Sequence, residues 1–232
     1  MISLSNVTLI GIDCINIERI QKALDISCVG LQFAEVKLLT SLPTDDLRKV
    51  EIPHLGSIEA YSEFCIRDLV KYVSTEYVLI VQYDGFVLNP DSWTDEFLKY
   101  DYIGAPLIAH SDYWFTVFKF PEELRDTKVV GNGGFSLRSK KFLEASSRLA
   151  DQGVFKEYQP EDIVMCVHHR KDMEREGVKF ASPEVAEKFA IEGRRYVYDK
   201  QFGFHGLSWT DISKWIEENP KWGIKLTPPP KE

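Results

Sequence analysis

The strongest constraint on the fold is segment 77–82 (YVLIVQ), the most uniformly apolar run in the chain. A short apolar run without alternating polar residues is typical of a strand buried on both faces of a mostly parallel sheet. The run stops at Tyr83, Asp84 and Gly85. Ligands of open α/β sheets bind beyond the carboxyl ends of the strands, where an uncovered crevice forms. The sequence therefore predicts that Asp84 lies at a ligand-binding edge.

Earlier segments extend this pattern toward the N-terminus. Residues 7–13 (VTLIGID) and 36–40 are short apolar runs, and apolar residues between them recur at helical spacing. A strand–helix–strand unit of this kind begins a doubly wound sheet. A helical pattern over 58–73 then leads into the strand at 77–82. We expect an α/β fold with a mostly parallel central sheet flanked by helices.

The other elements follow from the same rules of periodicity and capping. They are short strands and loops over 86–114, a Gly-punctuated strand over 129–139, and helices over about 142–149, 160–177 and 210–218. Residues 1–226 are expected to form a single domain, because a chain of 232 residues with 44% hydrophobic content can bury one large core. The Pro-rich tail, 227–232, is expected to fray.

Composition excludes several kinds of partner. The net charge of -8 gives no general attraction for nucleic acid. No apolar run approaches the roughly 20 residues that span a bilayer, and residues 1–12 lack the pattern of a secretory signal, so membrane contact is expected to be peripheral at most. The four cysteines (14, 28, 65 and 166) lack the close pairing of a zinc or redox motif. Buried free thiols and a cytoplasmic location are expected.

Two strand ends carry the first candidate site residues. A carboxylate such as Asp84 can hold a hard divalent cation, which neutralises a diphosphate as it leaves. Asp13 ends the first strand and, with Asn16, is placed to contact a nucleotide. Both acids also have local explanations, since turn and cap residues are commonly acidic after a strand. These positions alone leave the function open.

The order of four motifs along the chain narrows the choice of function. They are QYD at 82–84, GNGGFSLRS at 131–139, PEDIV at 160–164, and FHG at 204–206 followed by Trp209. This order resembles the GT-A-fold glycosyltransferases over residues 7–209, and the combination looks like a bacterial glycosyltransferase-like group whose acceptor is not assigned. Gln82 stands where that family has the first acid of its DxD motif.

The resemblance implies a metal-assisted transfer of a sugar, from a nucleotide-sugar donor expected to be UDP-linked, to a hydroxyl of a saccharide or glycoconjugate. It implies that Mn²⁺ or Mg²⁺ is held by Asp84 and His205, and that Asp162 is the general base of an inverting transfer, with Glu161 beside it; a retaining enzyme would not need that base. The donor-binding residues it implies are Ser62, Arg67, Gln82, Tyr83, Asp84, Gly133 and Gly134, with Glu63 beside them. Trp114 is a candidate for stacking on the acceptor. A role in building a surface polysaccharide is the expectation from analogy of fold.

Each motif also has a structural explanation. Acids such as Glu161 and Asp162 are favoured in the first turn of a helix by its dipole. Gly133 and Gly134 suit a bulge or a close helix contact as well as a close ligand. His205 and Trp114 could equally be side chains packed in the core. The adjacent His168 and His169 cannot both point into one site from a regular helix, so neither is expected to be a ligand.

Two other functions are compatible with these sequence features. A nucleotidyltransferase would also hold a metal-bound nucleotide at the sheet edge, and release of pyrophosphate would identify it. The segment 11–19 (GIDCINIER) lacks the Gly-rich basic phosphate loop that such enzymes usually carry after the first strand. A non-catalytic module of the same fold would bind a nucleotide without turnover.

Overall fold

The computed structural model describes residues 1–158 and 160–228. Its strands are β1 (Ile2–Ile12), β2 (Leu31–Thr40), β3 (Lys49–Glu51), β4 (Tyr77–Val81), β5 (Tyr102–Gly104), β6 (Pro106–Ile108), β7 (Lys128–Val130), β8 (Phe135–Ser139), β9 (Ala190–Glu192) and β10 (Gly203–His205). Its α-helices are α1 (Ile17–Ser27), α2 (Ile58–Arg67), α3 (Asp112–Thr116), α4 (Lys140–Asp151), α5 (Glu161–Ile163), α6 (Arg170–Arg175), α7 (Pro183–Phe189) and α8 (Ser213–Glu218).

Six strands form the central sheet, in the order β3-β2-β1-β4-β8-β5. The pairs β1–β2, β2–β3 and β1–β4 are parallel, whereas β8 runs antiparallel to both β4 and β5. The expected α/β fold, with a mostly parallel central sheet flanked by helices, is confirmed. The three strands expected at 7–13, 36–40 and 77–82 correspond to β1, β2 and β4, with β1 ending at Ile12 and β4 at Val81.

Strand order reverses next to β1. The chain adds β2 and β3 on one side of β1 and then returns to place β4 on the other side. The helices on the two sides of such a reversal diverge, which opens a crevice beyond the carboxyl ends of the two strands. The crevice between β1 and β4 is therefore where this sheet best accommodates a ligand.

The helices follow the sequence signals at their ends. The side chain of Asn16 caps α1 by accepting from the backbone N–H of Arg19, and Ser57 caps α2 by accepting from Ala60. The helix expected over 58–73 ends as an α-helix at Arg67 and continues as a 3-10 turn, Leu69–Tyr72.

Two segments differ from the expected elements. The strand expected over 129–139 is broken into β7 and β8 by a turn in which Asn132 has a left-handed φ of 70°. The helix expected from Thr210 begins at Ser213, because the Thr210 hydroxyl donates to the His205 carbonyl (2.6 Å) and accepts from Gly193 N–H (3.0 Å). Both departures bring polar groups to the neighbourhood of His205.

The helical region expected over 160–177 is present but irregular. A π-helical stretch, Val164–His168, separates α5 from α6, and His169 N–H donates to the Val164 carbonyl five residues earlier (2.9 Å). Gly177 ends the region with a φ of 80°, a conformation that favours glycine. Short π-helical insertions often occur at functional sites.

Most of the apolar core is one cluster, with residues from Leu4 to Trp215. A smaller cluster packs the aromatic residues of α3 and the following loop against Ile163 and Val167. In the described part of the chain, no helix is both long and apolar enough to cross a membrane. The four cysteines are free; Cys28 is half-buried and the other three are buried. Of the Pro-rich tail, residues 229–232 lie outside the described residues.

Candidate functional site

Asp13 and Asp84 follow the two strands that flank the crevice. Asp13 comes directly after β1, and Asp84 lies in the turn after β4. The turn is closed by two backbone hydrogen bonds between Gln82 and Gly85, of 2.9 and 3.1 Å. Gly206 N–H donates to the Asp84 carbonyl (2.7 Å), which joins the turn to the segment that carries His205. The fold thus brings together positions 84 and 205, which the sequence separates widely.

Asp13 organises the start of α1. Its Oδ1 accepts from the backbone N–H groups of Ile15 (2.7 Å) and Asn16 (3.0 Å), and its Oδ2 accepts from Nε of Arg19 (2.5 Å). Asn16 and not Asp13 is the N-cap of α1, although both carboxylate oxygens of Asp13 are used within the chain. Contact of Asp13 or Asn16 with a nucleotide stays a prediction.

The same ion pair brings an unexpected cation to the crevice. The guanidinium of Arg19 lies 4.1 Å from the centroid of the Tyr83 ring. Burial alone would lower the pKa of Arg19, but Asp13, and then Tyr83 and Asp84, raise it. Arg19 sits in the first turn of a helix, and only the position of Tyr83 after a different strand shows that it belongs to this site.

His205 is the centre of a polar cluster beside Asp84. Its Nδ1 lies 2.9 Å from Oε1 of Glu192, and its Nε2 lies 3.6 Å from Oδ1 of Asp84 and 3.2 Å from Oε1 of Gln82. The register of β9 and β10 places His205 directly opposite Glu192. Asn132 donates to Glu192 through Nδ2, which also lies 3.0 Å from Nδ1 of His205. Glu192 lies outside the four motifs, and Asn132 belongs to GNGGFSLRS but is not marked there as a site residue.

Asp84 and His205 shift one another's pKa toward the charged forms. Burial alone would lower the pKa of His205, but the carboxylates of Glu192 and Asp84 raise it well above its usual value. Burial alone would raise the pKa of Asp84, but the interaction with His205 lowers it. The two carboxylates therefore favour the charged form of His205. Asp84 Oδ1 is buried and lacks a hydrogen-bond partner among the described residues.

This donor set fits a divalent cation. Glu192 on Nδ1 of His205 is the arrangement that orients a metal-ligating histidine toward a metal on Nε2. The unpartnered Oδ1 of Asp84 and the amide oxygen of Gln82 lie on that same side of the ring. No group of three or more His, Cys, Asp or Glu side chains within residues 1–158 and 160–228 is arranged to hold a metal ion. A cation here would need further oxygens from a substrate.

Gln82 is also anchored on its other side. Its Nε2 donates to the hydroxyl of Tyr61 on α2 (3.0 Å). An acid at this position could not donate to a tyrosine hydroxyl in this way. The amide thus ties α2 to the ring of His205, which gives a physical reason for glutamine where the resembled family has an acid.

Gly133 and Gly134 are required by neighbouring side chains. A Cβ on Gly133 would lie 2.0 Å from Oε1 of Glu161, and one on Gly134 would lie 2.2 Å from Nε2 of His205. The sequence pattern is therefore explained by close internal packing, which was one of its two interpretations. Contact of these glycines with a donor sugar stays a prediction.

Gly134→Ala is expected to lower the free energy of unfolding by about 1–3 kcal/mol, because the new methyl group displaces the His205 ring. Gly56→Ala is the matched control, since a Cβ there meets the His54 ring at 3.3 Å and no backbone atom. Urea unfolding of the two variants measures the difference. Equal stability of the two variants would show that the close approach to His205 is relieved without cost.

Asp162 and Glu161 have different environments. Oδ2 of Asp162 accepts from Gly133 N–H (3.1 Å), and the residue is half-buried. Glu161 is buried and forms a 2.9 Å ion pair with Nη2 of Arg138, whose side chain is 0% exposed. Nε of Arg138 also donates to the Ser136 hydroxyl (3.1 Å). Both acids adjoin Gly133, but Glu161 is held as a buried partner of Arg138, whereas Asp162 accepts from the Gly133 N–H.

The pKa of Asp162 is raised to about 7. The causes are burial, then the charge of Glu161, then that of Glu192. A carboxylate with a pKa near neutrality is well suited to accept and return a proton. Asp162 and His205 both adjoin the turn 131–134, through Gly133 and Gly134 respectively.

Two other candidate residues, Ser62 and Arg67, lie on α2. Ser62 is completely buried, and its hydroxyl has no hydrogen-bond partner in the described part of the chain. Arg67 pairs with Asp151 of α4 (2.8 Å) and donates to Tyr158 (3.1 Å). Ser62 is thus a buried side chain and Arg67 is engaged with Asp151 and Tyr158, and contact of either residue with a donor stays a prediction.

The aromatic and histidine candidates have local partners. Trp114 packs on Phe118 and Phe120, at centroid distances of 5.4 and 5.2 Å. These rings belong to the cluster around Ile163, so Trp114 lies close in the fold to the helix of Asp162. His168 bonds to the Phe118 carbonyl and His169 to Asp172, both at 2.9 Å.

With this geometry established, comparison with known proteins gives one family. The model of a protein family of unknown function (DUF5672) matches residues 46–205. This chain belongs to the DUF5672 family. The DUF5672 match contains Asp84, Asp162 and Glu192 and ends at His205, whereas Asp13 and Arg19 precede it. A search of curated proteins gives no match.

Solved structures similar to this DUF5672 protein include two glycosyltransferases and a cytidylyltransferase. The glycosyltransferase GlyE of Streptococcus pneumoniae is 12% identical with a TM-score of 0.46, over 85% of this chain and 53% of GlyE. A mannosyltransferase of Pyrobaculum calidifontis, solved with GDP-Man and Mn²⁺, is 15% identical with a TM-score of 0.42, over 77% of this chain and 54% of that one.

The third is the 2-C-methyl-D-erythritol 4-phosphate cytidylyltransferase of Thermus thermophilus, 12% identical with a TM-score of 0.43, over 75% of this chain and 87% of that one. The DUF5672 chain spans about half the length of the two glycosyltransferases. Likenesses at these scores carry no information about its activity, which has to be inferred from the site.

Proposed function

We propose that this protein is a metal-assisted glycosyltransferase that moves a sugar from a nucleotide-sugar donor to a hydroxyl of a saccharide or glycoconjugate. One observation carries the proposal. At the crevice between β1 and β4, a buried carboxylate oxygen of Asp84 lacks a hydrogen-bond partner among the described residues and lies 3.6 Å from Nε2 of a histidine that Glu192 orients. A crevice at a reversal of strand order is the usual nucleotide position in open α/β sheets.

Asp84, His205 and Gln82 would hold the divalent cation, with Mn²⁺ or Mg²⁺ as the candidates. When bound, the cation supplies positive charge that stabilises the departing diphosphate. Glu192 and Asn132 keep the His205 ring in place. Gly134 keeps the space around that ring free of a side chain, so the chain's own residues preorganise the donor end of the site.

Asp162 acts at the acceptor end. The acceptor hydroxyl gives its proton to the Asp162 carboxylate while its oxygen forms a bond to the anomeric carbon. The bond between that carbon and the diphosphate oxygen breaks, and the nucleoside diphosphate leaves with the electron pair. The Gly133 N–H holds Oδ2 of Asp162 in position throughout this exchange. Attack on the face opposite the leaving group makes the transfer inverting.

The remaining residues bind the two substrates in this proposal. Tyr83 is 42% exposed at the crevice and is placed to pack on the donor. Asp13 and Asn16 shape the start of α1 beside it. Trp114 and the exposed Tyr113 offer aromatic surface near the helix of Asp162, where the apolar face of an acceptor sugar can stack.

A panel of nucleotide sugars tests the proposal. The purified protein is incubated with each donor, Mn²⁺ or Mg²⁺ and a mixture of saccharide acceptors, and the released nucleotide is identified by mass. Release of a nucleoside diphosphate, with a sugar added to an acceptor, is the expected result. In a parallel incubation with nucleoside triphosphates and sugar phosphates, release of pyrophosphate would instead identify a nucleotidyltransferase and overturn the proposal.

A further inference from the structure

Arg19 has an unused hydrogen-bonding edge. Its Nε donates to Oδ2 of Asp13, while Nη1 and Nη2 have no hydrogen-bond partner among the residues that the structure describes. One face of the guanidinium lies against the Tyr83 ring, 4.1 Å from its centroid. The side chain is 34% exposed. Two contacts thus fix the guanidinium and leave its two terminal nitrogens accessible.

The position of this edge is set by the sheet. Asp13 follows β1 and Tyr83 follows β4, so the two groups that hold Arg19 come from the two sides of the crevice. Arg19, Tyr83 and Asp84 act electrostatically on one another at this point. The guanidinium is therefore held across the crevice, beside the carboxylate proposed to hold the cation.

A guanidinium with two free parallel N–H groups matches the spacing of two oxygens of one phosphate. A second protein carboxylate could also use this edge, but Asp13 occupies Nε and none reaches the Nη groups in residues 1–158 and 160–228. The surrounding acids give the crevice an excess of negative charge, so a bound anion needs a fixed cation.

We propose that Arg19 binds the diphosphate of a nucleoside diphosphate through its two Nη groups. The inference rests on the proposed function, whose leaving group it would hold. Asp13 and Tyr83 are then positioning residues, because they orient the guanidinium before the ligand arrives. Arg19, the last residue of segment 11–19, would thus supply a phosphate-binding cation after the first strand although the segment has no Gly-rich loop.

Calorimetric titration with UDP, GDP, CDP and ADP in the presence of Mn²⁺ tests the inference. For the diphosphate that the wild type binds, Arg19→Ala is expected to raise Kd about 10- to 100-fold, as expected when a hydrogen-bonded charge is lost. Arg175→Ala, which removes a highly exposed arginine from α6, is expected to leave Kd unchanged. The melting temperature of each variant verifies that it is folded.

Arg19→Lys separates direct contact from simple compensation of Asp13. Lysine keeps the charge but has no planar pair of N–H groups, so direct binding predicts a Kd several-fold above that of the wild type. A Kd equal to that of the wild type in Arg19→Lys or in Arg19→Ala overturns the inference and leaves the proposed function standing. Absence of binding of any diphosphate to the wild type overturns the proposed function, and this inference with it.

Discussion

Replacing Arg138 with methionine is expected to lower the free energy of unfolding by about 3–5 kcal/mol, the usual cost of leaving one member of a buried ion pair without its partner. Arg138 is 0% exposed and Glu161 is 7% exposed, so water cannot take over the lost contact. The Gly133 carbonyl and the Ser136 hydroxyl lose a donor at the same time. Urea unfolding of the variant and the wild type measures the change.

The double variant Arg138→Met/Glu161→Gln separates the charge from the packing. Removing the stranded carboxylate should recover a substantial part of the lost stability, since an uncharged amide is cheaper to bury than an unpaired charge. The two substitutions are therefore expected to be strongly non-additive. If the double variant is as unstable as the sum of the two single variants, the ion pair has no special role and Arg138 acts through its volume.

Asp162→Asn is expected to lower the transfer rate by about 10²–10⁴-fold, because the amide cannot accept the acceptor's proton. The amide oxygen can still accept from Gly133 N–H, so the fold should be retained. Asp172→Asn, in α6 and paired with His169, is the matched control and should keep full activity. A transfer rate within a few-fold of the wild type in Asp162→Asn would remove Asp162 from the mechanism.

The pH dependence of the same variant gives an independent readout. The pKa of Asp162 is raised from 3.8 to about 7, so the wild-type rate should fall as the pH drops below about 7 and level off above it. The folded protein also retains a proton that the unfolded chain releases from about pH 4 upward. Stability from this group is therefore lost as the pH rises from about 4 to about 7.

Asp162→Asn should abolish that loss. The free energy of unfolding of the variant, relative to that of the wild type, should therefore be higher at about pH 8 than at about pH 5. Urea unfolding of both proteins at the two pH values measures the effect. An unchanged stability difference between the two pH values would mean that Asp162 titrates at its ordinary pKa.

Much of the fold could be predicted from the sequence, because its signals are local. The apolar runs that form β1, β2 and β4 are each readable within a dozen residues, whereas the cap of α1 is Asn16 and not Asp13. Asp84 could be placed at the sheet edge because a uniformly apolar strand ends immediately before it. The broken strand at 131–134 was not foreseen, since it depends on Glu161 and His205 occupying the space beside the glycines.

The contacts of the candidate site were less predictable for the same reason. Glu192 reaches His205 through the pairing of β9 with β10, and Arg19 reaches Tyr83 only because β4 lies next to β1. Local periodicity in the sequence does not predict the order of strands in a sheet. The burial of Arg138 is a further example, because a charged residue in a strand is more often exposed. Residue 84 is a candidate because of its place after a buried strand, residues 162 and 205 are candidates by resemblance, and the roles of all three stay predictions.

The central claim is that Asp84 and His205 hold a cation that binds the diphosphate of a nucleotide donor. Calorimetric titration of nucleoside diphosphates into the wild type and Asp84→Asn, each with and without Mn²⁺, tests it most directly, with the exposed Asp91→Asn as the control. We expect one diphosphate to bind the wild type only in the presence of Mn²⁺, and Asp84→Asn to lose that binding while Asp91→Asn keeps it. Equal affinity with and without Mn²⁺, unaffected by Asp84→Asn, would contradict the claim.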